Sequence, residues 1–506
     1  MDSKAIHEKF VQTSTGSSNA YVCFTLASIS FYFLIREIAL LSIPRSHHKW
    51  LPFLYDFLLI TIPMIHSITY VTEGLVIKCF MLLLCASPSL WIYHSSKKTQ
   101  HSGKHPEDVP HLSHGRSSAE SPRALGGVAV LERYVVTSYR GIIMLFTTLC
   151  ILAVDFPVFP RKMAKTVESG YSVMDLGVGA FVIANGLVAP QAKEKGRSSL
   201  RMVISELKDS FLLIILGFGR FVSITMTNYQ SPEEEYGKHW NFFCTLAVVK
   251  IFSRLAAVFI RAEFLPLAGI GLAVIYEIIL QNGLYDYLLI PSSDIHSSMP
   301  VSRLLVDNRS GIASSVGFLA LFLIWTHFAR CFRVERKSRL QHVRLVGDLA
   351  CWCLIGFLIC RYLPLPSRRF ANASYIFWTS YLALGFLTTL VVSRMIVVWL
   401  AGKKTIGGIS ILEWLSHLPL AIPALNYNAL TVFLVANVLT GAVNLSMDTV
   451  HTSDFLALCI LCFYSILVCF VACALYSAKW RARFRFGDIG QFLTDAVFFP
   501  VKSKKM

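Results

Sequence analysis

Ile151-Leu-Ala-Val-Asp155-Phe-Pro157-Val-Phe-Pro160-Arg161-Lys162-Met-Ala-Lys165-Thr-Val-Glu168-Ser-Gly170-Tyr-Ser-Val-Met-Asp175-Leu-Gly177-Val-Gly179 places charged and turn-forming residues between two long apolar runs. A carboxylate at the end of an apolar run loses hydration unless something compensates, and the three cations that follow Asp155 can do so. The stretch reads as two membrane helices joined by a polar turn, and as a candidate site at the membrane boundary.

The rest of the chain agrees. Of 506 residues, 55% are hydrophobic and 15% charged, which excludes an ordinary soluble domain. Runs of about 20 apolar residues, enough to cross a hydrocarbon core, lie near 20–43, 51–70, 74–94, 134–156, 172–190, 206–227, 240–261, 266–281, 310–330, 345–363, 374–400, 426–446 and 454–477. The expected fold is all-α, a polytopic integral membrane protein of about thirteen transmembrane helices, with the run at 266–281 short for a span. The first apolar run is span-length and serves as the insertion signal; no cleavable signal peptide is evident. The expected organisation is a short N-terminus at 1–19, one transmembrane domain at 20–477 with a polar loop at 95–130, and a basic tail at 478–506.

A net charge of +17 raises the question of nucleic acid, but its distribution answers it. When loops are assigned alternately to two sides, the set containing 95–133, 191–203, 330–344 and the tail carries most of the Lys and Arg. By the positive-inside rule that set is cytosolic, so the N-terminus is lumenal and the C-terminus cytosolic. The basic residues then serve topology and anionic-lipid contact rather than a nucleic acid. The histidines of the 95–130 loop lack metal-ligand spacing. The 13 cysteines fall mostly in spans and read as packing thiols. Lys502 and Lys504 near the end resemble a dilysine retrieval signal for the endoplasmic reticulum, read by coat proteins.

In this topology Arg161, Lys162 and Lys165 fall on the lumenal side, against the charge bias, and such exceptions need a cause. Glu233 to Asn241, Asp307-Asn308-Arg309, Asn444, Asp448 and His451 meet the same side. A lumen-facing polar basin is the simplest geometry that uses them together. Taken singly, Asp307, Asn308 and Asp454 also suit helix N-caps. The sequons at Asn308, Asn372 and Asn444 lie at span ends, where a glycosyl transferase has poor access.

Five blocks carry a resemblance: Ala153-Val-Asp155-Phe-Pro-Val-Phe-Pro-Arg161 with Ala164-Lys165-Thr; Met174-Asp175-Leu-Gly-Val-Gly179; Glu235-Tyr-Gly-Lys-His239-Trp-Asn-Phe-Phe243; Asn308-Arg-Ser-Gly-Ile312; and Asn444-Leu-Ser-Met-Asp448-Thr-Val-His451. In this order they resemble the signature blocks of the PIG-W family, the GPI-anchor inositol acyltransferases. The resemblance implies an endoplasmic-reticulum enzyme that moves a fatty acyl group, usually palmitoyl, from acyl-CoA to the inositol 2-hydroxyl of glucosaminyl-phosphatidylinositol. It implies acyl-CoA as a cosubstrate; no metal motif, P-loop or dinucleotide fingerprint appears in the sequence, so no bound cofactor is expected beside it.

A secondary hydroxyl is a poor nucleophile near neutral pH, so a positioned base must take its proton. Asp155 is the first candidate, with Lys165 to orient it or to stabilise the tetrahedral oxyanion. His451, three residues from Asp448, and His239 are the rival bases. Arg161, Lys162, Lys165 and Arg309 are candidate anchors for the phosphates of the lipid and of CoA. Glu168, Asp175, Tyr236, Asn241, Asn444 and Asp448 complete the expected substrate-binding set. Gly177 and Gly179 are expected to allow close helix contact. Two other classes stay open: a lipid or small-molecule transporter, against which no internal repeat is found, and a non-catalytic scaffold subunit of GPI assembly, which would tolerate loss of Asp155.

Overall fold

The computed structural model describes residues 16–41, 51–69, 129–227, 236–291, 300–334, 339–401, 405–406, 409–410 and 421–480, with Phe10, Ser14 and Ile295 besides. The expected span at 74–94, nearly all of the 95–130 loop, Glu233 to Glu235 and the tail with Lys502 and Lys504 lie outside the described residues.

The described residues are helical, apart from a minimal antiparallel pair, β1 (Thr405–Ile406) with β2 (Ile409–Ser410), and a single bridge between Ser17 and Tyr171. The helices are α1 (Asn19–Leu40), α2 (Phe53–Ile68), α3 (Ala129–Ala153), α4 (Leu176–Gly186), α5 (Leu200–Thr227), α6 (Phe242–Phe259), α7 (Leu265–Ile279), α8 (Pro300–Asp307), α9 (Arg309–Arg333), α10 (Arg339–Tyr362), α11 (Ala373–Ala401), α12 (Ala421–Tyr427), α13 (Ala429–Ser446) and α14 (Asp454–Ser477). Among the described residues, 9 helices are long and apolar enough to cross a membrane: α1, α3, α6, α7 with its extension, α9, α10, α11, α13 and α14. This is a polytopic, all-α membrane protein.

Four expectations change. The expected spans at 51–70 and 206–227 form α2, a shorter apolar helix, and α5, and neither is among those nine. The run at 266–281 belongs to a 28-residue helix, Ala262–Leu289. It is interrupted at Asn282 and at Gly283, whose φ of +105° favours a residue without a Cβ. The expected span at 172–190 forms only the 11 residues of α4, about 17 Å at 1.5 Å per residue and so short of a 30 Å hydrocarbon core. Polar turns on both sides of α4 use the remaining residues.

Helices α3 and α11 form the centre. Val135, Leu145, Leu149 and Leu152 of α3 and Tyr375, Trp378, Leu387 and Leu390 of α11 have no exposed surface, as expected of helices apolar on every side. Helices α10 and α14 lie outside, presenting Leu354, Leu358, Phe455 and Phe463 outward. In water such a surface would aggregate; here it meets lipid. Ser453 occupies the N-cap of α14, so Asp454 stands in the first turn, where its charge favours the helix dipole. Asn372 caps α11, accepting the Tyr375 N–H at 3.0 Å.

A buried ionic network closes one end of the bundle. Arg36 of α1 pairs with Glu37 and, at 2.7 Å, with Asp56 of α2. Arg394 of α11 lies 3.9 Å from Glu37 and 4.2 Å from the Tyr134 ring centre. Asp56 also accepts the Ala421 N–H at the start of α12. At this end the helices are held in register by charges that burial makes costly to separate.

Helix α9 approaches the 365–372 turn at Gly317, where a Cβ would fall 2.0 Å from the Ala371 carbonyl oxygen. Backbone cannot retreat as a flexible side chain can. Gly317→Ala is therefore expected to cost about 1–3 kcal/mol of stability, read as a lower thermal midpoint in detergent. An unchanged midpoint would mean that the two segments do not meet this closely.

Candidate active site

The turn after α3 is shaped by two prolines and one arginine. Pro157 and Pro160 carry no N–H and cannot continue a helix, so the chain turns after α3 and the carbonyls of the turn need other donors. Arg161 supplies one: its Nη2 donates to the turn carbonyls of Val154, Phe156 and Phe159 at 2.8, 3.0 and 2.9 Å. Burial lowers the Arg161 pKa to about 10, against the upward pull of the Asp155 charge. Arg161 thus builds the turn that carries Asp155. The Asp155 side chain is buried, and the Asn444 amide nitrogen donates to its Oδ2 at 2.8 Å. The first and last sequence blocks meet here.

The second half of the turn is fixed by Asp175. Its carboxylate receives the Thr166 N–H at 3.3 Å, the Thr166 hydroxyl at 2.7 Å and Arg368 Nε at 3.0 Å. The Tyr375 hydroxyl donates to the Asp175 carbonyl at 2.7 Å and accepts the Gly179 N–H at 3.0 Å. Asp175 is 1% exposed, so its charge is matched inside the protein. By holding Thr166 it positions the neighbouring Lys165.

Lys165 lines a cavity that encloses about 1140 Å³ of empty space, mouth included. Its polar lining includes Lys165, Arg220, Tyr236 and Arg368. Its long wall is one face of α3, formed by Tyr139, Ile143, Phe146, Thr147, Cys150 and Ile151. That face runs about 18 Å along the helix at 1.5 Å per residue. Leu176 and Phe181 of α4, Leu382 and Phe386 of α11, and Phe433 of α13 supply further apolar surface. Asp155 does not line the cavity; it stands in the turn after α3, four residues beyond Ile151. The arrangement suits an amphiphile with a long apolar chain and an anionic head.

The other expected site residues fall in several places. Tyr236 is in the cavity lining, while Lys162 lies over the Tyr21 ring at 4.7 Å. Glu168 is exposed, and its carbonyl accepts the Ser367 hydroxyl. Asn241 caps α6, accepting the N–H groups of Phe243 and Cys244 at 3.0 and 3.4 Å. Arg309 donates to the carbonyls of Val306 and Ile290. His239 is exposed; its backbone N–H is held by Asn308 Oδ1 at 2.9 Å and its ring packs edge-on to Phe221. His451 and Asp448 pair at 2.8 Å on the surface, 69% and 56% exposed. The hydrogen bond from His451 holds the Asp448 carboxyl below its usual range. Neither lines the cavity. Gly179 makes the expected close contact, since a Cβ there would meet the Tyr375 hydroxyl at 2.9 Å. Gly177 does not: an added Cβ finds nothing within 4 Å, and the residue lines the cavity.

Sequence reasoning missed Arg368 and Arg220. Arg368 had a signal: Pro364-Leu-Pro366-Ser-Arg368-Arg369 sets two cations on the side where the charge bias disfavours them. Arg220 had none, being one arginine in an apolar helix.

The GWT1 family profile matches residues 3–475. The chain is 35% identical over 359 residues to GPI-anchored wall transfer protein 1 of Schizosaccharomyces pombe, covering 69% of this chain and 72% of that protein. The same-named protein of Aspergillus fumigatus is 30% identical over 516 residues, covering 94% and 98%. The mouse glucosaminyl-phosphatidylinositol-acyltransferase PIGW is 28% identical over 507 residues, covering 93% and 97%. A match across nearly the whole chain agrees with the order of the five sequence blocks, and the chain belongs to the PIG-W/GWT1 family.

Proposed function

We propose that this protein transfers a fatty acyl group, palmitoyl, from acyl-CoA to the inositol 2-hydroxyl of glucosaminyl-phosphatidylinositol, in the membrane of the endoplasmic reticulum. Family membership supports an acyltransferase role in GPI biosynthesis. The single observation that carries the finer reading is the long apolar cavity whose lining also holds three cations, four residues along the chain from a buried carboxylate. No cofactor is needed beyond the cosubstrate.

In this mechanism the acyl chain lies along α3, and Lys165, Arg220 and Arg368 meet phosphate groups of CoA or of the lipid. Asp155 removes the proton as the inositol oxygen attacks the thioester carbonyl. Lys165 stabilises the resulting oxyanion. Collapse forms the ester and releases the CoA thiolate, which takes up a proton. Asn444 positions Asp155, and burial keeps bulk water from competing for the thioester. The exposed Asp448–His451 pair and His239 are the alternative bases. The catalytic domain spans residues 20–477, with the N-terminus lumenal and the C-terminus cytosolic, so that a coat protein can read Lys502 and Lys504.

The test is transfer of labelled palmitate from palmitoyl-CoA to glucosaminyl-phosphatidylinositol by the purified protein in lipid nanodiscs. Formation of an acylated glycolipid is expected, and a folded protein that forms none overturns the reading. In the same assay Arg220→Ala is expected to raise KM for acyl-CoA about tenfold with kcat unchanged, the loss of one charged hydrogen bond made equally in ground and transition states. An unchanged KM would remove Arg220 from the site.

A further inference from the structure

The cavity has a floor. Along α3 its lining begins at Tyr139, and along α11 it ends at Phe386. These two rings meet edge to face, with centres 6.1 Å apart and planes at 62°. Both are buried, at 1% and 5% exposure. The same helix faces continue one turn deeper with Val135 and Leu390. Neither has any exposed surface, and neither lines the cavity. One turn further along α11 comes Arg394, in the buried network with Glu37 and over the Tyr134 ring. An apolar chain sliding along α3 therefore meets an aromatic pair, then a packed apolar layer, then buried charge. It has no continuation past the first of these.

We propose that the Tyr139–Phe386 pair is the element that sets acyl-chain length. The inference rests on the acyl-transfer reading above and deepens it. The lining of α3 from Ile151 to Tyr139 extends about 18 Å, comparable with the roughly 15 Å that a lipid chain spans in one leaflet of a 30 Å core. A chain that fits this length fills the slot. A longer one must displace the rings or leave its carbonyl short of Asp155. A shorter one leaves an apolar void that packing does not fill. Ala383 lines the slot about 4.5 Å nearer the mouth than Phe386, three residues earlier on α11. A larger side chain there raises the floor.

The experiment compares lauroyl-, myristoyl-, palmitoyl-, stearoyl- and arachidoyl-CoA as donors to glucosaminyl-phosphatidylinositol in nanodiscs, each donor alone and in pairwise competition. Phe386→Leu, which keeps an apolar side chain but removes the ring, is expected to raise the stearoyl-to-palmitoyl ratio of kcat/KM about tenfold or more, the scale on which pockets discriminate added methylenes. Ala383→Leu is expected to shift the ratio of palmitoyl to myristoyl about as far in the opposite sense. Opposite shifts from two variants cannot arise from general loss of folding. A parent that transfers acyl groups while both variants keep its chain-length profile overturns the ruler and leaves the acyl-transfer reading standing. A folded parent that transfers no acyl group from any donor overturns that reading, and the ruler with it.

Discussion

Asp155→Asn is expected to lower kcat for acyl transfer by about 10²–10⁴-fold, the contribution of a positioned general base, while the protein stays folded. Asparagine has nearly the shape of aspartate and retains an oxygen to accept the Asn444 amide, which lies 2.8 Å from Asp155 Oδ2 in the parent. What it lacks is basicity. The readout is single-turnover transfer of labelled palmitate at saturating acyl-CoA, with the thermal midpoint as the control for folding. His451→Ala should change kcat little, because His451 and Asp448 are solvent-exposed, 69% and 56%, whereas Asp155 is buried. If Asp155→Asn keeps full activity and His451→Ala or His239→Ala loses it, the base is reassigned. If all three remain active, proton removal is not the work of any of these side chains.

Arg368→Ala is expected to destabilise the protein by about 3–5 kcal/mol, the cost of removing one partner from a buried ion pair. Asp175 is 1% exposed, and without Arg368 its carboxylate would rest on the Thr166 N–H and hydroxyl for a charge that Arg368 Nε balances at 3.0 Å in the parent. Asp175→Ala should cost a similar amount. The double variant should cost less than the sum, because each single change strands the partner that the other removes. Thermal and denaturant midpoints of the three variants in one detergent measure this. Additive losses would mean that the pair is not coupled in the folded state. The effect reaches the chemistry as well: Asp175 holds Thr166, and Thr166 adjoins Lys165 at the cavity. Lys165→Arg in the parent background separates the two contributions, since it touches the cavity cation without disturbing the pair.

The membrane class was legible because it depends on bulk properties. Apolar runs of span length admit only helices, since a helix satisfies its backbone hydrogen bonds within itself. Nine of the expected runs became long apolar helices among the described residues. Charge placed against the positive-inside bias pointed to Arg161, Lys162 and Lys165, and the turn they occupy carries Asp155. The residue types were visible; their partners were not. Arg161 reads in sequence as an anion anchor, yet prolines at 157 and 160 left carbonyls that its guanidinium now satisfies. Asn241 and Arg309 sit in two blocks that suggest ligand contact, and Asn308 beside Arg309 reads as a helix cap. In the fold each holds a helix end or a loop, because backbone groups at those ends need partners wherever water is excluded.

By itself, then, the sequence determined that this chain is a helical membrane protein, which family it resembles, and that the turn after Ala153 is chemically unusual. The first and last follow from hydropathy over tens of residues and from local charge, and the resemblance from the residues of five short blocks; none of these needs a distant contact. The tertiary structure alone decided that Asn444 meets Asp155 across 289 positions and Arg368 meets Asp175 across 193. It also decided that one face of α3 and one of α11 leave a slot closed by Tyr139 and Phe386. Those outcomes depend on how helices rotate against one another. That rotation is set by side-chain packing summed over the whole bundle, and no short window of sequence contains it.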